Sequence, residues 1–347
     1  MIMARFPLFL LGAISLLTGL LAGLSRLGFS TPMADSVGLH GPLMVCGFFG
    51  TVIGLERAVA LRQAWTFGAP FFTGLGGILL LTTTPVFFGA GALLLGSAIF
   101  AAGGIWVAYR QPVPFTILMA LGALSWAAGN LLWLAGQPLV EVIPSWMVFL
   151  AFTIAGERLE LSRFLPPSRW RQPALLIVLV PVAIGLFSHL WLGLGIAGLA
   201  AWSLSADIAR RTVKENGLAR YVAICVLSGY AWLALSGLLL ASGGLPGGGA
   251  WHDAVLHAFF VGFVFAMVFG HAPIILPAVL RFDVPFTPFL YIHLGLLHIS
   301  LLLRIIGDLA GIENARTVGG ALNAVIIVLF LLTMLGRGLW NKFTNPA

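Results

Sequence analysis

One segment of this chain carries metal-donor side chains at its start and full charges at its finish. In LHGPLMVCGFFGTVIGLERAVALR, His40, Met44 and Cys46 come early, and the pair Glu56 and Arg57 comes late. Imidazole and sulfur atoms are metal donors, whereas a carboxylate beside a guanidinium forms an ion pair or lines a proton path. The two kinds of chemistry are therefore separated by an apolar stretch, and the question is what positions each end.

The composition answers part of that question. Of 347 residues, 60% are hydrophobic and only 8% are charged, with a mean hydropathy of +1.05. Apolar runs of about 20 residues recur along the whole chain, and each can cross a bilayer as a helix. We expect an all-α integral membrane protein, with residues 1–347 forming a single polytopic domain. The net charge of +7 is scattered between apolar runs, so the expected partner is the lipid bilayer and not nucleic acid.

Charged residues, prolines and glycine clusters divide the chain into twelve predicted membrane spans. These are 6–25, 39–61, 67–84, 87–108, 114–135, 142–161, 173–190, 192–210, 220–242, 252–274, 287–306 and 317–336. With this division, all of the 18 lysines and arginines except Arg26, Arg304 and Arg316 fall on one side. The positive-inside rule therefore predicts that both termini are cytoplasmic.

A weak internal repeat connects spans that are four apart. The second span ends in LERAVALR and the sixth in GERLELSR, each with Glu-Arg and a second arginine six residues after the glutamate. The tenth span begins near His257 much as the second begins near His40. The pattern suggests three pseudo-repeats of four helices, with equivalent helices facing a common axis.

His40 and His257 are the leading candidates for a cofactor site. Both are predicted near the outer ends of their spans, at similar depth and in equivalent positions of the repeat. Two neutral imidazoles on facing helices are what a six-coordinate haem needs, one on each face of the ring. The alternative is that each imidazole caps a helix or reaches toward the lipid headgroups.

The remaining histidines have other expected roles. His271 lies 14 residues after His257, about 21 Å further along a helix, so it caps a helix end where prolines stop it, serves a second centre or joins a proton path. His298 falls in the middle of the eleventh span and is expected to be buried, as an interhelical contact or as a ligand. His189, His252 and His293 lie near the predicted membrane surfaces, where no special role is expected of them.

Copper and charged groups complete the set of candidates. His40 and Met44 share a helix face and could bind one copper(I) ion, although a methionine and the nearby Cys46 are ordinarily core residues. Arg304 and Arg316 are expected near haem propionates, or else Arg304 forms a surface ion pair with Asp308, four residues on.

The repeat-equivalent glutamates Glu56 and Glu157 are expected at the inner membrane boundary. There they anchor and orient their helices, or they line a proton path.

Five segments, in their order and spacing, resemble the NnrS-type haem and copper membrane proteins linked to nitric oxide tolerance in denitrifying bacteria. They are RFPLFLLGAISLL at the start, HGPLMVCGF in the second span, FTILMALGALSWAAGNLLWLAG in the fifth, AGERLELSRF in the sixth and HAFFVGFVFAMVFG in the tenth. The resemblance implies a twelve-helix haem protein of the bacterial cytoplasmic membrane, with His40 and His257 at matching positions.

One departure from that family concerns copper. The family typically opens its second helix with His-x-His-Glu-Met, and here Pro42 and Leu43 replace the second histidine and the glutamate. A looser resemblance is to subunit I of the haem-copper oxidases, which holds a haem between its second and tenth helices. This chain lacks the sixth-helix histidine and the paired histidines of the seventh helix, so a catalytic copper centre of that kind is not expected.

The expected function is that of a haem b protein that transfers electrons or handles nitric oxide, together with a respiratory redox partner or complex. One alternative is a non-haem permease or a structural membrane subunit, in which the 43 glycines allow close helix packing. The other alternative is a haem-copper oxidoreductase, which would need copper beside the haem.

Overall fold

The regular backbone of this protein is helical. The computed structural model describes residues 5–82, 84–166, 168–280 and 284–344, and no strand occurs within them. In these ranges ten helices are long and apolar enough to cross a membrane, and two further apolar helices are shorter. The prediction of an all-α membrane protein is confirmed.

The apolar helices follow the predicted spans in order. We number them α1 Arg5–Arg26, α2 Ala34–Leu61, α3 Ala64–Leu80, α4 Val86–Arg110, α5 Pro114–Leu134, α6 Leu139–Phe164, α7 Arg171–Gly185, α8 His189–Ala206, α9 Gly217–Gly243, α10 Gly249–Val279, α11 Leu290–Ala310 and α12 Glu313–Asn341. The two shorter ones, α3 and α7, stand at the predicted third and seventh spans. Residue 83, inside the predicted third span, lies outside the described residues.

The chain forms two compact units, Met1–Thr153 and Ile154–Ala347, whose boundary falls within α6. In the first unit, α1 packs against α2 and α3, and α4 packs against α3 and α5. In the second unit, consecutive helices from α7 to α12 pack against each other. The expectation of a single domain stays a prediction.

Helix α11 has the polarity pattern of a helix that faces lipid. Its exposed stripe is apolar and consists of Ile292, Leu296, Ile299, Leu302, Ile306 and Leu309. Its buried face carries Ser300, Arg304 and Asp308. In a water-soluble protein the charged side chains would lie on the exposed face and the apolar ones on the buried face, because burial of charged groups is costly unless they are paired.

Burial varies along the chain with a period of four helices. In an 18-residue apolar window of each long helix, 67, 78 and 72% of the residues are buried in α2, α6 and α10, against 39–50% in the other seven. This is the same period that the sequence repeat suggests. The candidate ligands His40 and His257 therefore lie on two of the three most buried helices.

Glycines set the contact between α11 and α12. A Cβ atom at Gly307 would collide with the main-chain nitrogen of Arg316, and one at Gly319 would collide with that of Arg304. Between the helices, Gly311 adopts a left-handed conformation (φ 69°) and donates its N–H to Gly307 O, which ends α11. These contacts bring the start of α12 back against the last turns of α11.

Helix α10 is longer than predicted. Its final α-helical part, Ala266–Leu280, contains both Pro273 and Pro277, so the expectation that prolines end the helix just after His271 was wrong. Proline is tolerated in membrane helices because neighbouring groups can satisfy the main-chain carbonyl that loses its N–H partner.

Candidate functional site

His40 opens the α-helical part of α2 in the first unit. A 3₁₀ turn, Ala34–Leu39, precedes it, and the half-buried ring places Nδ1 2.7 Å from Gly19 O on α1. A carbonyl oxygen only accepts hydrogen bonds, so Nδ1 carries the proton. In the neutral ring the lone pair is then on Nε2, the nitrogen that would bind a metal in this tautomer.

Two glycines of α1 make room for the candidate ligands of α2. A Cβ atom at Gly23 would lie 2.8 Å from His40 Cε1 and 2.9 Å from Nδ1, and one at Gly19 would lie 2.8 Å from Met44 Sδ. His40 and Met44 therefore do share one helix face, as the sequence predicts. That face packs directly against α1.

A π-helical stretch follows each of the two leading histidines. Leu43–Phe49 in α2 begins three residues after His40, and Ala258–Phe265 in α10 begins immediately after His257. Within the described ranges these are the two π-helical stretches. Such stretches are rare and are frequent at functional sites, because the wider turn redirects side chains.

His257 in the second unit is oriented by Asp253, one turn earlier on α10. Its Nδ1 lies 2.8 Å from Asp253 O and 3.2 Å from Asp253 Oδ1. As for His40, the carbonyl contact assigns the proton to Nδ1 and the lone pair to Nε2. A histidine whose second ring nitrogen bonds a carbonyl or carboxylate is the usual arrangement of a metal ligand in proteins.

Arg304 on α11 holds the Asp253 carboxylate from the other side. Its Nε and Nη2 donate to Oδ2 and Oδ1 at 2.7 and 2.8 Å. Arg304 is buried, so the expectation of a surface ion pair with Asp308 was wrong in both partner and position. The guanidinium positions Asp253, and Asp253 in turn positions His257.

Arg316 and Asp308 extend this cluster. Arg316 Nε lies 3.1 Å from Asp308 Oδ1, and the Asp308 side chain is fully enclosed. Neither Asp308 oxygen makes a hydrogen bond of good geometry among the described residues. Arg316 also donates to Glu313 at 3.4 Å and is a quarter exposed. We call Asp253, His257, Arg304, Asp308 and Arg316 the α10–α11 charge cluster.

His298 and His271 have structural contacts. Trp232 Nε1 donates to His298 Nδ1 at 3.0 Å, and His298 Nε2 lies 2.9 Å from Ser228 Oγ. Both ring nitrogens of His298 thus connect α11 to α9, which matches the interhelical contact expected from the sequence. His271 Nδ1 bonds Met267 O of its own helix at 2.7 Å, so this ring is fastened to α10 without capping its end.

The other histidines lie at helix ends or against other side chains. His189 accepts the N–H of Leu245 at 3.2 Å, and His252 Nδ1 lies 2.6 Å from Pro246 O. His293 bonds Thr333 at 3.2 Å. Of these, His252 and His293 are buried within the protein, and all three lie in the first turns of their helices.

Cys46 belongs to a buried polar network in the first unit. Its Sγ accepts from Trp126 Nε1 and donates to Asn130 Oδ1, both at 3.3 Å. Asn130 also accepts from Trp146 Nε1 at 3.0 Å and donates to Ser97 at 3.0 Å. Every polar side chain of this network has a partner within it, which is the arrangement of a structural network.

A second buried ion pair was not predicted from the sequence. Arg158 donates to both oxygens of Asp207 at 2.7 and 2.8 Å, and the carboxylate also accepts from Tyr230 Oη at 2.6 Å and from the Ala209 N–H at 2.7 Å. Burial acts to raise the pKa of Asp207, but the hydrogen bonds and charge of Arg158 outweigh it and lower the pKa below its ordinary value.

Arg158 is the arginine that follows Glu157, the residue expected at the membrane boundary. The sequence did contain a signal for this pair, because Glu157 and Arg158 directly follow one apolar run and Asp207 directly follows another.

Clusters of three or more histidine, cysteine, aspartate or glutamate side chains with metal-ligand geometry do not occur in the part of the chain that the structure describes. Near His40, Pro42 and Leu43 occupy the positions where NnrS-type proteins have a histidine and a glutamate, and both are buried. The donors near His40 on this face therefore include the Met44 thioether but no further imidazole or carboxylate from those two positions.

Comparison with known proteins identifies the family of the chain. A family model described as a domain of unknown function (DUF8744) matches residues 5–339. No curated protein matches the sequence.

Proposed function

The chain belongs to the DUF8744 family, a domain of unknown function. We propose a function for it from its own residues. The chain is a haem b protein of the bacterial cytoplasmic membrane that transfers electrons or handles nitric oxide beside a respiratory partner. His40 and His257 are the proposed axial ligands of the haem iron. Copper has no proposed role.

One observation carries the proposal. A π-helical stretch begins three residues after His40 and immediately after His257, and each histidine uses Nδ1 for a main-chain carbonyl. The two units thus present, each by itself, an imidazole in the same tautomer and close to the start of a π-helical stretch. That tautomer is the one in which a haem ligand binds iron through Nε2.

The surrounding residues have defined tasks in this proposal. Gly19 O and Gly23 hold the His40 ring in position, whereas Asp253 orients the neutral His257 ring and makes it a stronger metal ligand. Arg304 keeps Asp253 ionised and in place. With five N–H donors each, Arg304 and Arg316 are also the proposed partners of the propionates. The bound haem supplies a one-electron redox couple whose potential depends on these ligands and their hydrogen bonds.

The proposed orientation places both termini in the cytoplasm. It rests on the distribution of arginine and lysine between the helices. Fusion of a reporter that is active only in the cytoplasm to either end should give active protein, whereas a fusion in the loop that joins α1 to α2 should not.

The decisive measurement is a reduced-minus-oxidised absorption spectrum of the purified protein. We expect a haem b spectrum in the wild type and loss of the six-coordinate species in both His40→Ala and His257→Ala. A wild type without haem, or six-coordinate haem retained in both variants, would refute the proposal.

A subtler variant tests the position of the His40 ring. Gly23→Ala places a methyl group 2.8 Å from His40 Cε1, so the ring must move, and haem occupancy should fall. Gly91→Ala on α4 is the matched control, because its Cβ meets no atom within 4 Å. Equal haem content in the two variants would remove Gly23 from the site.

The alternative of a non-haem permease has one observation in its favour. The α10–α11 charge cluster contains three buried ionisable side chains, Asp253, Arg304 and Asp308, and two partly exposed ones. Intramembrane charges often mark transport paths. Flux of a labelled solute or of protons into proteoliposomes of haem-free protein, abolished by Asp308→Asn, would support a permease. Stoichiometric copper in metal analysis would instead favour a haem-copper oxidoreductase.

A further inference from the structure

Two segments of the second unit carry much of the positive charge of the chain. Residues 157–171 lead from the last turns of α6 to the start of α7, and residues 207–220 lead from the end of α8 into α9. Together they contain eight arginines and lysines and four acidic residues. Their net charge is therefore +4, out of +7 for the whole chain. The proposed haem site uses none of these residues.

Hydrogen bonds join the two segments. Arg158 donates to both oxygens of Asp207. Near the end of α8, Trp202 Nε1 donates to Arg171 O at 2.9 Å, and Arg171 Nη1 donates to Ser162 O at 3.2 Å. The two segments therefore form one surface at one end of the unit.

Most of the cations of this surface are exposed. We call the exposed ones the basic surface: Arg163, Arg169, Arg210, Arg211, Lys214 and Arg220. The acidic residues offset only part of this charge. Asp207 is neutralised by the buried Arg158, and Glu160 pairs with Arg163 at 3.7 Å. Glu157 is half-buried and Glu215 is exposed. The surface thus retains an excess of positive charge.

Aromatic rings lie among these cations. Phe164 is 65% exposed and Trp170 is 67% exposed. The guanidinium groups of Arg163 and Arg169 lie over these rings, at 5.2 and 5.5 Å from the ring centroids. Large rings are unfavourable in water, but amphipathic tryptophan is enriched at the level of the lipid headgroups. Pairs of arginine and an exposed ring are therefore suited to the headgroup layer.

The length of α7 supports the same position. This helix has 15 residues and is about 22 Å long, less than the ~30 Å of a hydrocarbon core. Its exposed residues Leu176, Ile177, Val180 and Ile184 are apolar, as expected of a helix that faces lipid. A short helix draws its polar flanks toward the hydrocarbon, and long basic side chains then extend to the phosphates. Arg169, just before α7, is placed to do so.

We propose that the basic surface binds the headgroups of anionic phospholipids in the leaflet that it faces. Clusters of about four to eight lysines and arginines next to a membrane helix attract anionic lipids, and the fork of N–H donors of an arginine matches phosphate oxygens. Phe164 and Trp170 contact the lipid at the boundary between headgroup and acyl chain. This proposal does not depend on haem.

The position of the rings decides between a lipid and an acidic protein as the partner. Charge alone would attract either one. Phe164 and Trp170, however, lie between the ends of α6 and α7, and α7 presents an apolar face to lipid. The lipid headgroups are therefore the partner that meets the rings and the cations together.

The chain offers a matched pair of positions for a local probe. Gln172 at the start of α7 and Gln111 after α4 are both exposed, and each directly follows an arginine. Gln111 lies in the first unit, where Arg110 is its nearest cation in the sequence. Cys46 and Cys225 are buried, so a thiol-reactive fluorophore should label a cysteine introduced at either glutamine.

The test is quenching of bimane on Gln172→Cys or Gln111→Cys by phospholipids that carry a spin label near the headgroup. The full-length protein is reconstituted in phosphatidylcholine bilayers, and spin-labelled phosphatidylglycerol is compared with spin-labelled phosphatidylcholine. We expect phosphatidylglycerol to associate about 10-fold more strongly at Gln172→Cys and about 1–2-fold more strongly at Gln111→Cys. The preference should disappear at about 1 M salt, where the Debye length is about 3 Å.

Charge variants test whether the basic surface causes the preference. Arg211→Gln combined with Lys214→Gln removes two of its exposed cations and should lower the preference at Gln172→Cys to about 2–3-fold. Arg62→Gln combined with Arg110→Gln removes two exposed cations of the first unit and should leave that preference unchanged. Circular dichroism and gel filtration before reconstitution check that each variant is folded.

Three results would overturn the proposal. The first is equal association of the two lipids at Gln172→Cys, which would favour an acidic protein as the partner. The second is the same preference at Gln111→Cys, because attraction of anionic lipid would then be a general property of this cationic chain. The third is a preference that persists in the folded variant without the charges of Arg211 and Lys214, or that falls as far in the control.

Discussion

Two buried Arg–Asp pairs in the second unit have the same core geometry and different surroundings. In both, an arginine donates through Nε and Nη2 to the two oxygens of one carboxylate, in Arg158 with Asp207 and in Arg304 with Asp253. Asp207 receives two further donors, from a tyrosine and a main-chain N–H. Asp253 instead contacts a histidine and lies in a cluster with a second carboxylate, Asp308.

The difference separates a structural pair from a candidate functional one. The Asp207 pair is complete, since all acceptor positions that it presents are used within the fold. The α10–α11 charge cluster is less complete, because Asp308 contacts Arg316 at 3.1 Å but neither of its oxygens makes a hydrogen bond of good geometry to the residues that the structure describes. Natural proteins retain incomplete buried networks where a ligand, a proton or a change of state completes them. Mutations in the two places should therefore have different costs.

The largest effect is expected from Asp207→Asn. The substitution leaves the buried Arg158 without a counter-charge, which should lower the free energy of unfolding by about 3–5 kcal/mol. The midpoint of a dodecyl sulfate titration, followed by circular dichroism, measures the change. If the variant is as stable as the wild type, the pair is not the structural element that its hydrogen bonds indicate.

Glu160→Gln is the matched control. Glu160 and Arg163 form an exposed ion pair at 3.7 Å on the last turns of α6, and such pairs contribute about 0–1 kcal/mol.

The lowered pKa of Asp207 makes the stability that the Asp207 pair contributes depend on pH. Its stabilisation is complete above the ordinary carboxylate pKa and is lost as the pH falls through the lowered value, so wild type and Asp207→Asn should become similar only in strong acid.

The sequence predicted the helices better than it predicted these pairs. Hydropathy alone locates apolar helices, because the bilayer demands long helices wherever apolar runs occur. It does not show which charges meet. Arg158 and Asp207 are 49 residues apart, and counting arginines as topology signals assigned Arg158 to the membrane boundary.

The same limit explains the error at Arg304. Spacing of four residues suggested Asp308 as its partner, but α10 presents Asp253 at hydrogen-bonding distance, and the turn at Gly311 brings Arg316 to Asp308 instead. The π-helical stretches also had no sequence signal, since the apolar pattern of a π-turn inside an α-helix differs little from that of the helix around it. His298, by contrast, was predicted as a buried contact from its position alone.

Asp253→Asn should have the second-largest effect. It removes the charge that binds Arg304, but Asp308 interacts electrostatically with the same arginine and compensates part of the loss. We expect destabilisation by about 2–3 kcal/mol, less than for Asp207→Asn in the same titration. If the protein binds haem as proposed, haem affinity should also fall about 10–100-fold. A loss equal to that of Asp207→Asn would mean that the cluster is as closed as the other pair.

Tyr230→Phe tests the completeness of the Asp207 pair. The phenol donates to Asp207 Oδ2 at 2.6 Å, and three donors remain when it is removed. The free energy of unfolding should fall by about 1–1.5 kcal/mol, with no change in any property of His257. Tyr109→Phe serves as the control, because Tyr109 is 86% exposed.

Asp308→Asn should have the smallest effect on stability. The sign of that effect distinguishes a structural ion pair from a carboxyl group retained for function. The side chain is fully enclosed and its oxygens make no hydrogen bond of good geometry to the residues that the structure describes, so an amide in its place removes any buried charge at little loss of bonding. Arg316 keeps Glu313 as a partner and is partly hydrated. We expect a change between zero and about 1 kcal/mol, in the stabilising direction, in the same titration.

A loss of 3 kcal/mol or more would instead mean that the contact with Arg316 is a strong ion pair. The α10–α11 charge cluster would then be a second structural pair. If stability is unchanged while haem content or proton flux is altered, Asp308 is retained for function, because an enclosed carboxylate that contributes nothing to folding has no structural reason to be charged.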